Sequence, residues 1–267
     1  MQEGQSNVHK GWTSRYWDGC KPSCSWPEKN QSLQPWTICR NCDINDKEIE
    51  AFVPHPNWSE YYQGYLGTKS ACDSDGIAYT CWDMAPIAIN DTLAYAFAAT
   101  PGDGDQCGKC FQLQFDGDWK DAEARVTHKA LKGKTLIVMS SNIGHDVAGG
   151  QFDVLIPGGG VGAFDSFSKQ LSVSSEVLGA RMGGLLTKCD EEIQGWTATL
   201  DQWQTCLRNK CNSVFGSKSK LLLDGCLWQA NWFMAANNPT LLYKEVECPQ
   251  YLLDKYKSTF HTEKPKL

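Results

Sequence analysis

The stretch "NIGHDVAGGQFDVLIPGGGVG", residues 142–162, decides the fold class. Its centre, "QFDVLIP" at 151–157, has strand character, being short and rich in β-branched and aromatic residues. The flanks, "NIGHDVAGG" at 142–150 and "PGGGVG" at 157–162, are glycine-rich and read as loops rather than crossover helices. A nucleotide-binding reading of the glycine run fails, since no Gly-Lys-Ser/Thr follows and no acidic residue closes a βαβ unit. Consecutive glycines instead let the backbone take positive φ and pass close to a neighbouring chain. Working outward, "CFQLQF" (110–115), "TLIVMSS" (135–141) and "TLLYKEVE" (240–247) are strand-like, and "TPGDGDQCG" (100–108) is a further loop. Strands joined by loops favour a β-barrel over an α/β sheet. Helical character is confined to "FDSFSKQLS" at 164–172 and "DEEIQGWTATLDQWQTCLRN" at 190–209. The expected fold is mainly β, with long loops and a few short helices.

The chain of 267 residues carries a formal charge of -6, and its lysines and arginines are scattered, so a nucleic-acid partner is not expected. No apolar run approaches the roughly 20 residues that cross a bilayer, and Met1 to Lys10 lacks the apolar centre of a secretory signal. The expectation is a soluble chain, with no membrane partner, whose signal peptide lies outside this sequence. Thirteen cysteines point to an oxidised, disulfide-rich, secreted protein. Four thiolates from Cys39/Cys42 and Cys107/Cys110 could form a zinc site, but the other cysteines lack ligand spacing and the five histidines form no ligand pattern. Neither a metal nor a cofactor is expected. Sequons at Asn30, Asn57 and Asn90 are compatible with secretion. Without a repeat or a low-complexity linker, residues 1–267 read as a single domain with a polar tail from about Lys255.

Two carboxylates stand out. Asp18 lies in "TSRYWDGCKPSCSW" (13–26), among aromatic residues and cysteines that would fix its setting and restrict its hydration. Asp153 alternates out of phase with Phe152, Val154 and Ile156, so it points to the opposite face of its strand. Each alone reads equally well as a surface or turn residue; together they make a candidate pair. His128 and His145 are solitary histidines with no defined partner.

"SRYWDGCKPSCSW" together with "GHDVAGGQFDVLIPGGGVGAFD" resembles glycoside hydrolase family 45, the small secreted endoglucanases, whose hallmark reads T-R-Y-W-D-C-C-K-P-S-C. The likeness runs from about Gly11 to Pro249 and includes "GIAYTCWDMAPIAINDTLAYAFAAT" (76–100) and "GCLWQANWFMAANNPT" (225–240); residues 43–70 and 190–222 look like insertions. The resemblance implies a six-stranded double-psi β-barrel with a long groove, and a monomer that cleaves internal β-1,4 bonds of cellulose and related β-glucans with inversion. It places the general base on Asp18, the general acid on Asp153 and a third, loop-borne aspartate on Asp146. Tyr16 and Trp26 match positions that contact sugar, Lys21 and Asp165 match charged positions near the catalytic segments, and Trp228 is a stacking candidate.

Inverting hydrolysis needs a protonated carboxyl at the leaving oxygen and an ionised one, about 6.5–9.5 Å away, that activates water. Arg15 and Lys21 flank Asp18 in sequence and suit the ionised base, whereas the apolar neighbours of Asp153 suit the acid.

Departures from the family pattern fall mainly on crosslinks. Gly19 and Phe167 stand at both ends of one usual disulfide, Gly108 stands at one end of another, and Gln151 replaces a histidine often found two residues before the acid. Carrying over the remaining pairs gives Cys20–Cys72, Cys24–Cys107, Cys39–Cys81, Cys110–Cys248 and Cys189–Cys226, with Cys206–Cys211 local and Cys42 free. The rival readings are an expansin-like wall-loosening protein, which generally lacks the Asp18 base, and a non-catalytic carbohydrate-binding module, which leaves the paired aspartates unexplained.

Overall fold

The computed structural model describes residues 7–26, 37–51, 68–102 and 105–260; the sequons at Asn30 and Asn57 and residues 52–67 of the first insertion lie outside them. The strands are β1 (His9–Tyr16), β2 (Asn41–Cys42), β3 (Glu48–Ile49), β4 (Ile87–Ala88), β5 (Leu93–Thr100), β6 (Cys110–Trp119), β7 (Thr135–Ile143), β8 (Gln151–Leu155) and β9 (Pro239–Val246). The helices are α1 (Val126–Leu131), α2 (Phe167–Leu171), α3 (Gly184–Ile193), α4 (Leu200–Phe215), α5 (Lys220–Asn231) and α6 (Gln250–Tyr256).

Seven strands share one sheet in the order β4-β5-β7-β6-β9-β1-β8, and β8 also pairs with β5 through Ala98↔Val154 and Ala99↔Asp153. Apart from the short β4, these strands form the double-psi β-barrel. β6 shows how the sequence builds it: Phe111, Leu113 and Phe115 turn into the core, while Gln114 and Asp116 on the alternate face are exposed. β8 keeps the same alternation, burying Phe152 and Val154 and leaving Asp153 half-buried on the other face.

β1 pairs in parallel with β8, setting Ser14 beside Asp153 and Tyr16 beside Leu155. The glycine run locks this pair. Trp17 N–H donates to Gly160 O at 2.7 Å, and Gly160 has φ +113°. A Cβ on Gly159 would stand 3.0 Å from the Tyr16 nitrogen. The glycines thus allow the loop to pass directly over the end of β1, as their sequence pattern indicates.

The second insertion differs from its sequence reading. The single helix expected at 190–209 is two helices, α3 and α4, because Gln194 is left-handed at φ 51° and Thr199 caps α4 by accepting from Gln202 N–H at 3.3 Å.

Six disulfides form, and three match the carried-over pairs: Cys20–Cys72, Cys24–Cys107 and Cys110–Cys248. The other three are Cys42–Cys81, Cys189–Cys206 and Cys211–Cys226, so the expected Cys39–Cys81, Cys189–Cys226 and Cys206–Cys211 pairs are corrected. Cys206 and Cys211 lie on one helix, where five residues rotate the side chain by about 500° and raise it about 7.5 Å, so the two sulfurs point apart. Each reaches a neighbouring helix instead. Cys42 exchanges backbone bonds with Tyr79 at 2.9 and 2.7 Å, which brings its Cα to 5.0 Å from that of Cys81. Cys39, rather than Cys42, is left as the free, buried thiol. The zinc alternative loses its thiolates, since Cys42, Cys107 and Cys110 are all disulfide-bonded.

The missing family crosslink has a packing substitute. Gly19, with φ +80°, would place a Cβ 2.9 Å from Phe167 N, so the two substituted positions are in direct contact. Phe167 is 1% exposed and its ring lies 5.7 Å from Trp17 and 6.0 Å from Phe215 of α4. Burying such a ring contributes about 1.5–3 kcal/mol, which offsets part of what a disulfide would supply.

Candidate active site

Asp18 lies two residues beyond the end of β1, and Asp153 sits beside Ser14 on β8. Four residues of strand span at most about 13 Å, and the two side chains can narrow that to the spacing of a paired-carboxylate site. The backbone of Asp18 is held on both sides. Its carbonyl accepts from Ser166 N and Phe167 N, each at 2.9 Å, while its Oδ1 accepts from Cys20 N–H at 2.9 Å. Asp165 organises that clamp from below, accepting from Ser168 N–H at 2.9 Å and from the Ser175 hydroxyl.

Burial pushes Asp18 up to about 7, against the Cys20 N–H that lowers it; the charges of Asp153 and Asp165 push it further up. Burial likewise pushes Asp153 up to about 6, with the Ser14 hydroxyl bond opposing, Asp146 raising and Arg15 lowering. This distribution differs from the sequence expectation that flanking cations would favour an ionised Asp18. Arg15 spans to Gly183 O at 2.9 Å and Asn237 Oδ1 at 2.7 Å, and its charge acts on Asp153. Lys21 is only 5% exposed and donates to Ala51 O at 2.7 Å and Thr68 O at 2.8 Å, with its ammonium 3.5 Å from the centre of the Trp26 ring.

The Tyr16 phenol accepts from Asn142 Nδ2 at 3.1 Å. The Asn142 carbonyl oxygen is occupied by Ser23 N–H at 2.8 Å and Ser23 Oγ at 2.6 Å, so the amide orientation is fixed and the Tyr16 hydroxyl proton is free to point away from it. Burial pushes Tyr16 well above its ordinary value, and the charges of Asp18 and Asp153 add to this, so it acts as a neutral donor.

Asp146 is exposed in the loop between β7 and β8. That loop is anchored by Val147, which is buried and whose N–H donates to Gly144 O at 3.1 Å. Trp228 is placed elsewhere. It is 5% exposed in the core, stacked at 12° on Trp232 and at 23° on Phe233, which corrects its assignment to sugar stacking. His128 stacks on Trp119 and bonds Asn237 O at 2.7 Å, a structural role.

Sequence reasoning missed Asn142 and Ser14, and took Gln151 only as a departure from a pattern. Their side chains act through partners more than a hundred residues away, at separations of 126, 139 and 137. The one available signal was the period of two along β1, which puts Ser14 on the face of Tyr16 just before Asp18.

Comparison with known proteins gives a consistent picture. The model of glycosyl hydrolase family 45 matches residues 10–206. Endoglucanase B of Cellvibrio japonicus (strain Ueda107) is 45% identical over 243 residues, covering 91% of this chain and 44% of that protein. A putative endoglucanase type K of Fusarium oxysporum is 34% identical over 248 residues, covering 91% of this chain and 52% of that protein. The chain thus spans about half the length of these two relatives. The crystal structure of a cellulase from the Antarctic springtail, Cryptopygus antarcticus, is similar with a TM-score of 0.65 and 29% identity, covering 94% of this chain and 96% of that one.

Proposed function

The chain belongs to glycosyl hydrolase family 45, and from that premise we propose that it is a secreted, monomeric endo-β-1,4-glucanase, residues 1–267 forming one catalytic domain. It hydrolyses internal bonds of cellulose and related β-glucans by single-displacement inversion. The observation that carries this reading is the pair of carboxyls, Asp153 on β8 and Asp18 two residues beyond the end of its parallel neighbour β1, both raised by burial, with the charge of Asp153 raising Asp18 further. Asp18 acts as the general base and Asp153 as the general acid. Asp146 adds negative charge that helps Asp153 hold its proton. Tyr16 offers a hydroxyl donor and Trp26 a ring face to the glucan near the scissile bond, while Lys21 and Asp165 hold Trp26 and the Asp18 segment in place.

The proton inventory defines a pH window. Burial raises both carboxyls, Asp18 to about 7 and Asp153 to about 6, so the pair as a unit still holds a proton around these values and shares it. Inversion requires that proton on Asp153. A glycosidic oxygen seated on Asp153, with water at Asp18, favours the productive arrangement. Below the window both groups are protonated and the base is lost; above it both are ionised and the acid is lost. A bell-shaped kcat/KM on a neutral cello-oligosaccharide, with its maximum near pH 6–7, is the expected profile. A rate still rising at pH 9 would contradict it.

The direct test is product analysis on carboxymethyl cellulose, barley β-glucan and a defined cello-oligosaccharide. Reducing ends should form, and proton NMR of the earliest products should show the α-anomer, because water attacks the face opposite the departing sugar. A first-formed β-anomer would mean a covalent intermediate and different roles for the two aspartates. No reducing sugar from any glucan would remove the enzyme reading altogether.

A further inference from the structure

Asp153 is the end of a hydrogen-bond chain that begins in the loop between β7 and β8. Ser14 Oγ donates to Asp153 Oδ1 at 2.6 Å. Gln151 Nε2 donates to Ser14 Oγ at 2.8 Å, and Gln151 Oε1 accepts from Ala148 N–H at 2.9 Å. The directions of the two links through Gln151 are determined by chemistry. A backbone N–H can only donate, so the atom it meets on Gln151 is the carbonyl oxygen, and the amide nitrogen must face Ser14. The Ser14 hydroxyl has one proton and two lone pairs; with one lone pair taken by Gln151, its proton is directed at the ionised carboxyl. Asp153 Oδ1 is therefore the acceptor of the Ser14 proton when the acid is ionised.

We propose that the Ala148–Gln151–Ser14 chain confines the catalytic proton to Asp153 Oδ2, making Ser14 and Gln151 positioning residues that tie the acid to the neighbouring loop. The inference rests on the acid role given to Asp153 above. A proton on Oδ1 would have to turn the Ser14 hydroxyl away from the carboxyl it meets at 2.6 Å, so the favoured place for the proton is Oδ2, the oxygen available to the leaving group. Loop and acid are also coupled, since displacing Ala148 frees the Gln151 amide to turn and releases the Ser14 proton from its direction. The other groups bearing on this carboxyl are Arg15 on β1, Asp146 in the loop, and Asp18 and Tyr16 at the end of β1. On the far side of Gln151, His9 and the Lys109–Glu245 pair at 4.0 Å line the adjoining cavity.

The test combines carbon-13 NMR titration of the Asp153 carboxyl in the free protein with pH profiles on a cello-oligosaccharide and on an activated aryl cellobioside. Ser14→Ala removes a bond to the ionised form, so the Asp153 titration and the alkaline limb of kcat/KM should both move up by about one pH unit. Gln151→Met, which keeps length but cannot donate, should move them in the same direction by less, and Ser14→Thr should restore the original values. Turnover of the oligosaccharide should fall several-fold in Ser14→Ala, while the aryl substrate, whose leaving group departs unprotonated, should be nearly unaffected. An unchanged Asp153 titration in Ser14→Ala, or equal losses on both substrates, would overturn the proposal. The NMR arm is independent of hydrolysis: a shifted titration in a protein that cleaves no glucan would reject the function and leave the hydrogen-bond chain standing.

Discussion

Asp18→Asn should lower turnover on every β-glucan by about 10²–10⁴-fold, and no choice of leaving group should restore it. Asparagine keeps the shape of the side chain and can still accept from Cys20 N–H, so the clamp from Ser166 and Phe167 should stay intact. What it cannot do is take a proton from water. Asp153→Asn should be equally damaging on cellulose fragments, yet an activated aryl cellobioside should recover a large part of the loss, because its leaving group needs no protonation. Circular dichroism and thermal melting separate this from misfolding. Each substitution also removes a carboxyl whose ionisation is opposed by burial, so both variants should melt no lower than the parent at neutral pH. Equal rescue of both variants by the aryl substrate would exchange or dissolve the assigned roles.

Lys21→Met should produce the largest loss of stability among single substitutions near the site. The ammonium is buried and donates to the carbonyls of Ala51 and Thr68, and it rests on the Trp26 ring. Hydrogen bonds from a charged donor contribute about 1.5–3 kcal/mol each, and their removal should lower the melting temperature by about 5–15 °C. Because Trp26 loses its support, KM should rise a few-fold with kcat less affected. Lys21→Gln, which retains one donor group, should fall between the two and remains measurable if the methionine variant does not fold. An unchanged melting temperature combined with a collapse of kcat would mean that the ammonium addresses the substrate.

Local sequence made some of this legible and withheld the rest for identifiable reasons. The strand at 151–157 could be read because glycines isolate it on both sides and β-branched residues fill it, and it appears as Gln151–Leu155. β5 was hidden because "LAYAFAAT" is rich in alanine, a residue with low strand propensity, and becomes a strand only between β7 and β8. β1 was read as a crosslinked aromatic segment, although its alternation carries Ser14 and Tyr16 onto one face just before Asp18. The break between α3 and α4 was available in the Thr199-to-Gln202 capping pattern, but the amphipathic run on either side outweighed it. Asp18 and Asp153 were legible as unusual residues in unusual settings. Their electrostatics were not, because Arg15 and Lys21 are neighbours of Asp18 in sequence and are engaged by other groups in space.

The free thiol has a consequence for how the molecule is made. Cys39 and Cys42 both lie within chain reach of Cys81, and in the finished structure only Cys42 is joined to it. Cys39 is 0% exposed, and burial pushes its thiol up to about 12, so almost no thiolate exists at neutral pH to attack a neighbouring disulfide. Its enclosure depends on the C-terminal segment: Cys39 bridges Lys257, and the next residue, Arg40, donates its N–H to Tyr256 O at 2.8 Å. With α6 docked, Cys39 is enclosed and un-ionised, so the Cys42–Cys81 pairing is shielded from exchange by the thiol nearest to it in sequence.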